Sequence, residues 1–226
     1  MTAMNMNFEE ARFNMVEQQI RPWDVLDPRV LDVLSRIPRE DFVPEAYRAQ
    51  AYVDTRIPLA EFGAVTYTMM NPNVEGRLLQ NLVIGDDDII LEIGTGSGYL
   101  TACLAALGRN VDSVDINPEM TEMAEANLAA LGVGNINLST DDAAPGWKLK
   151  QFYDAIAITC SLPEAPMVYK NMLKEGGRLF VITGAEPAMQ ARLITRLGKD
   201  DWSDQVLFET CIEPMANVRA PNTFVF

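Results

Sequence analysis

Histidine is missing altogether from the 226 residues. That excludes the commonest general base and the commonest metal ligand, so any chemistry assigned to the chain must run without them. Cysteine is scarce. Cys103, Cys160 and Cys211 are too few and too scattered for a disulfide framework, which points to a reducing, cytoplasmic setting. Positive charge is short as well: 18 Lys and Arg stand against 32 Asp and Glu, a net charge of −14. Nucleic acid and anionic membrane are poor partners for such a chain, because each phosphate contact calls for a Lys or Arg. Long apolar runs are lacking, and a stretch such as Ala102–Leu107 is far too short to cross a bilayer. The opening MTAMNMNFEEARFNM carries early acids and no apolar run, which argues against a secretory leader. Carboxylates without a visible cluster give no metal site.

Apolar residues make up 48% of the chain, enough for a substantial core. The reading divides it at residue 85. Residues 1–85 form a helical N-terminal extension with substrate-side loops, residues 86–226 a cofactor-binding core, and the two make one compact body. In the first part, Asp27-Pro28 looks like an N-cap followed by proline at the first helical position. Val30, Leu31, Leu34 and Ile37 then share one helical face, and Pro38 ends it. Pro44, Pro58 and Pro72 speak against long regular elements after that. From Asp88 onward, strand and helix alternate. Ile89–Ile93, Val111–Ile116, Ile136–Leu138, Ala155–Thr159 and Arg178–Thr183 read as strands. Tyr99–Leu107, Pro118–Leu131 and Glu164–Leu173 read as helices between them. This βαβ spacing implies an α/β fold with a parallel sheet and helices on both faces. Ala191–Leu197 and Val206–Glu213, flanking the turn-rich Gly198–Ser203, read as a closing antiparallel hairpin.

Chemistry concentrates at Leu91-Glu92-Ile93-Gly94-Thr95-Gly96-Ser97-Gly98-Tyr99, which joins the first of these strands to its helix. Glycines there let the backbone turn sharply and approach a ligand that sits on the helix N-terminus. Asp115 closes the next strand, where a carboxylate can accept both hydroxyls of a ribose. Two cofactors fit this outline. A dinucleotide site wants G-x-G-x-x-G, but this loop is G-x-G-x-G, with Glu92 two residues before the first glycine. A carboxylate repels pyrophosphate and attracts the ammonium and sulfonium of S-adenosyl-L-methionine, which the sequence therefore favours. Asp141, after the third strand, is placed to bind the adenine amino group, and Ile116 to pack on its face. The neighbouring Asp142 reads as a solvated turn residue.

With these residues in place, LEIGTGSGY resembles the first motif of class I S-adenosylmethionine-dependent methyltransferases. The chain from about Met15 to about Gly184 resembles, more narrowly, the protein-L-isoaspartate O-methyltransferases. The supporting runs are Asp27-Pro28-Arg29-Val30-Leu31, Ile37-Pro38-Arg39-Glu40-Asp41-Phe42-Val43-Pro44 and Ala51-Tyr52-Val53-Asp54, with Gly176-Gly177-Arg178-Leu179 and Gly184 further on. The resemblance implies a Rossmann-like sheet of about seven strands with the last pair antiparallel, as in the class I fold. It implies methyl transfer to the α-carboxylate of an isoaspartyl residue in a peptide or protein. It carries cofactor contacts to Glu92, Gly94, Thr95, Gly96, Gly98 and Asp115, with Ile116 and Asp141 beside them. A carboxylate acceptor is already ionised at neutral pH, so the missing histidine is no obstacle.

One segment departs from the family. Where its members carry Thr-Ile-Ser-x-Pro, with the serine at the reaction centre, this chain reads Thr68-Met69-Met70-Asn71-Pro72. Met70 stands in place of the serine, and a thioether cannot donate a hydrogen bond. Shifting the register to save a hydroxyl makes Thr68 or Thr66 the substitute, but then the proline no longer fits. Two other readings stay open: a methyltransferase of the same lineage with a different acceptor, and a protein that binds the cofactor without catalysis. Arg56 either pairs a substrate carboxylate or, the favoured option, forms a surface salt bridge. Cys160, after the fourth strand, is read as a small buried residue beside the cofactor rather than as a nucleophile.

Overall fold

Proline and capping chemistry start the N-terminal helices. The computed structural model describes residues 7–148 and 151–218, so residues 1–6 of the opening run lie outside the described residues. Helix α1 spans Phe8–Met15. Helix α2 spans Pro28–Arg36; the Asp27 side chain accepts from Arg29 N, and Val30, Leu31, Val33 and Leu34 are buried. The extended Ile37 and then Pro38 end it.

Two features of this half were not anticipated. Strands β1, Ile57–Phe62, and β2, Val65–Met69, pair antiparallel about a turn at Gly63. β2 alternates in the strand manner, Val65-Thr66-Tyr67-Thr68-Met69, but over five residues only; β1 is apolar apart from Glu61 and holds a proline, and a register shift between Pro58 and Ala60 interrupts the ladder. Pro72, far from breaking structure, opens the 11-residue helix α3, Pro72–Leu82. Proline at the first helical position gives up an N–H that would be unpaired anyway.

The second half follows the alternating pattern. Strand β3, Ile89–Ile93, leads into helix α4, Tyr99–Leu107; β4, Asn110–Asp115, into α5, Pro118–Leu131. Then come β5, Ile136–Thr140, β6, Tyr153–Leu162, the short α6, Met167–Asn171, β7, Leu173–Ala185, β8, Ala188–Gly198, and β9, Asp201–Thr210. The seven-stranded sheet has the order β5-β4-β3-β6-β7-β8-β9. Strands β3 to β7 pair in parallel, and β8 and β9 close the edge antiparallel. The expected helix over 164–173 shrinks to five residues, because β7 already begins at Leu173. Both hairpin strands start earlier than expected; β8 runs on to Gly198, past Leu197, while β9 ends at Thr210, before Glu213.

Side chains alternate across the central strands as the pleat demands. Phe180 and Ile182 enter one cluster, Leu179 and Val181 the other. The first cluster also holds Met15, Leu34 and Leu78, so the N-terminal helices cover one face of the sheet.

Candidate active site

Strand β3 delivers the glycine loop to the carboxyl edge of the sheet. Gly94 has φ +94°, and a Cβ there would lie 2.2 Å from Thr159 Oγ1. The Thr159 hydroxyl is itself held between the carbonyls of Ile93 and Gly94, at 3.0 and 2.9 Å. No residue but glycine fits without dislodging Thr159. Gly98 also has positive φ, but its Cβ would meet Ala124 and Leu128 at 3.1 Å, so its bareness lets α4 pack on α5. That is a different task from the cofactor contact expected of it.

A cleft of about 800 Å³ opens beside this loop. Gly94, Gly96, Asp115, Ile116 and Asp141 line it, as does Thr68 from β2. Asp115 sits at the end of β4. Its Oδ2 accepts from Gly96 N at 2.9 Å and its Oδ1 from Asn117 N at 2.9 Å. Burial raises its pKa, opposed by those backbone donors. Asp141 accepts from Lys148 Nζ at 3.0 Å, and that bond lowers its pKa. Asp142 lines the cleft as well; its Oδ1 accepts from Ala144 N, as in a turn, and its Oδ2 from Asn217 Nδ2, each at 2.9 Å.

Glu92 is elsewhere. It shares a strand face with Ile90, not with Ile93, and so points beneath the loop toward α4, fully buried. Its Oε2 accepts from Thr101 Oγ1 and, at 2.6 Å, from Ser113 Oγ. Thr95 joins Ser113 at 2.7 Å, which ties the loop to this buried chain of hydroxyls. Burial pushes the Glu92 carboxyl up to about 8, against the pull of Ser113 and Thr101. It does not line the cleft.

Four other acids, Asp115, Asp141, Asp142 and Glu213, stand at the cleft instead. All four line the cleft, and no Lys or Arg does among the described residues. Such a wall suits the sulfonium and ammonium of S-adenosylmethionine and opposes the pyrophosphate of a dinucleotide. With the bare backbone at Gly94, the residues present fit the former.

On the acceptor side, Thr68 Oγ1 meets Glu213 Oε1 at 3.1 Å and Oε2 at 3.0 Å. Glu213 also receives Arg56 Nη1 at 3.1 Å. Tyr67, a further lining residue, donates to Pro214 O at 3.0 Å. Cys160 lines the cleft too; burial pushes its thiol up to about 12, so it is protonated at neutral pH and not a nucleophile. Met70 is buried and faces a smaller adjoining pocket of about 330 Å³, which Thr68, Thr95, Met69, Glu75 and Tyr99 also line. Arg39 fixes this wall: it pairs with Glu75, donates to Met70 O at 2.6 Å, and lies 4.8 Å over the Tyr99 ring. Burial raises the Glu75 pKa, opposed by Arg39.

Sequence reasoning missed Tyr67 and Glu213. Glu213 lies 145 residues from Thr68 and follows the last strand, so no local pattern joins them.

Comparison with known proteins agrees with this arrangement. The family model described as protein-L-isoaspartate(D-aspartate) O-methyltransferase matches residues 10–216. A protein-L-isoaspartate O-methyltransferase of Rhodopseudomonas palustris is 36% identical over 202 residues, covering 89% of this chain and 91% of that one. Another, from Syntrophus aciditrophicus, is 37% identical over 193 residues, covering 85% and 87%. A solved protein-L-isoaspartate O-methyltransferase superposes with a TM-score of 0.77 at 25% identity, over 91% of this chain and 65% of that longer one. A Plasmodium falciparum structure described as a beta-aspartate methyltransferase in complex with S-adenosyl-L-homocysteine gives 0.74 at 18% identity, over 93% and 98%, which speaks for the fold. The chain belongs to the protein-L-isoaspartate(D-aspartate) O-methyltransferase family.

Proposed function

We propose that this protein methylates the free α-carboxylate of isoaspartyl residues in damaged peptides and proteins, with S-adenosyl-L-methionine as methyl donor. The observation that carries the reading is the family match over residues 10–216, which takes in both walls of the cleft. When bound, S-adenosylmethionine supplies a methyl group on a positively charged sulfur. Asp115 would take the ribose hydroxyls, Ile116 the adenine face and Asp141 the adenine amino group, while Gly94 and Gly96 let the loop backbone close on the ligand. Thr95 contributes by holding the loop to Ser113.

An isoaspartyl carboxylate, with a reference pKa near 4, is already the nucleophile at neutral pH. No residue has to remove a proton, so a chain without histidine is adequate. What the protein contributes is position, and a site from which water is partly excluded. A cytoplasmic location is part of the proposal, supported by three free cysteines. No helix among the described residues is long and apolar enough to cross a membrane.

Incubation with isotopically labelled cofactor and paired peptides, one isoaspartyl and one aspartyl, tests the reading. Base-labile methyl ester should form on the isoaspartyl peptide alone. Label no higher than in the protein-free control would refute it.

A further inference from the structure

The acceptor side of the cleft offers an anionic substrate little that is free to hold it. The Thr68 hydroxyl is turned onto Glu213, the Tyr67 hydroxyl donates to Pro214 O, and the Thr159 hydroxyl is held by Ile93 O and Gly94 O. Met70 has no donor, and its carbonyl is taken by Arg39. The lining acids make matters worse, since a carboxylate entering among them is repelled. A neutralising cation is needed near Thr68.

The candidate is Arg56, which does not line the cleft itself but pairs with Glu213, which does. It directly precedes β1, and its Nη1 reaches Glu213 Oε1 at 3.1 Å and Cys211 O at 3.3 Å. Its Nε and Nη2 have no protein partner among the described residues, and its side chain keeps 43% of its exposure. Half of the guanidinium fork thus remains to be used. Glu213 holds the other half still. Both of its oxygens meet Thr68, and its backbone carbonyl accepts from Ser161 N at 2.8 Å, next to Cys160 in the cleft wall.

We infer that Arg56 and Glu213 form the reader of the isoaspartyl unit, with Arg56 anchoring the α-carboxylate and Glu213 accepting the N–H carried by the same α-carbon. Only an isoaspartyl or chain-terminal residue presents a free carboxylate and an amide N–H on one carbon. A guanidinium and a carboxylate locked side by side are complementary to that pair. Arg56 thereby takes over the substrate-orienting task for which Met70 has no donor. The inference rests on the isoaspartyl reading above.

The test compares an isoaspartyl peptide with its isoasparagine counterpart, whose α-carboxylate is replaced by a carboxamide, as ligands in the presence of S-adenosylhomocysteine. Wild-type protein should bind the acid at least tenfold more tightly than the amide. Arg56→Gln should abolish that preference and raise the peptide KM about tenfold or more, with affinity for S-adenosylhomocysteine unchanged within twofold. Arg56→Lys should restore part of the preference, since it returns charge without the fork. Glu213→Gln should raise the peptide KM and lessen discrimination against an N-methylated isoaspartyl residue. Retention of the acid-over-amide preference in Arg56→Gln, in protein that methylates the peptide, would overturn the inference alone. Wild-type protein that does not methylate the peptide would overturn the underlying reading and the inference with it.

Discussion

Replacing Gly94 by alanine probes the cofactor loop at the point where its geometry is least forgiving. At φ +94° a side chain costs about 1–2 kcal/mol in local strain. The new Cβ would also sit 2.2 Å from Thr159 Oγ1, so Thr159 must rotate away. Its hydroxyl then loses the carbonyls of Ile93 and Gly94, worth about 1 kcal/mol, more if those acceptors stay dry. Together these terms come to about 3 kcal/mol, which for a domain of this size lowers Tm by roughly 6–12 °C. Calorimetric melting reads the stability, and titration with S-adenosylhomocysteine reads the site, where affinity should fall at least tenfold. A Thr159→Ala background removes the clash but leaves the strain. Gly94→Ala should therefore cost only about 1–2 kcal/mol there, a coupling of about 1 kcal/mol or more between the two positions. A Gly94→Ala protein melting within about 2 °C of wild type, or additive costs in the double variant, would refute the account of the loop.

Three further outcomes follow from buried groups around the site. Burial pushes Glu92 up to about 8, well above its ordinary value, so its contribution to stability falls as pH rises from about 4.5 to 8 and levels off beyond; Glu92→Gln should remove that share of the slope, Glu75 and Asp115 keeping theirs, and melt higher than wild type at pH 8.5, a crossover that melting curves at pH 5 and 8.5 will reveal or deny. Glu75→Gln leaves Arg39 charged and unpaired in the core, at a cost of about 3–5 kcal/mol in denaturant unfolding, whereas the double change Arg39→Met with Glu75→Leu should recover most of it. Met70→Ser truncates a buried side chain and should cost about 2 kcal/mol or more, with kcat/KM for an isoaspartyl peptide rising less than threefold, because Met70 faces the smaller pocket and not the Thr68–Glu213 mouth. If the missing serine hydroxyl were the limiting contact, the same change would raise kcat/KM by roughly 10- to 150-fold instead.

The parallel sheet was legible because its strands are buried on both faces. Ile89–Ile93 is a short, mostly apolar run between acids and glycines, which is how a central parallel strand must read. The hairpin of β1 and β2 was not legible for the opposite reason. It stands outside the main sheet, half-exposed; β1, Ile57–Phe62, carries Pro58 and no alternation, and the alternation of β2 lasts only over Val65–Met69. Pro58 and Pro72 were read as breaks. Only the fold shows that one sits beside a register shift and the other at a helix start.

The two halves of the site differ in the same way. Gly94, Gly96 and Asp115, which line the cleft, come from one strand–loop–helix unit and the strand next to it, so sequence spacing predicts their spatial neighbourhood. The acceptor side is assembled across the whole chain: Arg56, Thr68 and Glu213 meet only because β2 and the segment after β9 lie over the same sheet edge. Local pattern also fails for Glu92, where composition suggested a ligand and strand pleat decided otherwise. Glu92 stands next to Ile93, which lines the cleft, and successive residues of a strand face opposite ways. An acid preceding a glycine loop is therefore no guide to ligand charge until its face is known. Here Glu92 is buried beneath the loop, and the acids that line the cleft stand at or beyond strand ends, Asp115 closing β4 and Asp141 following β5.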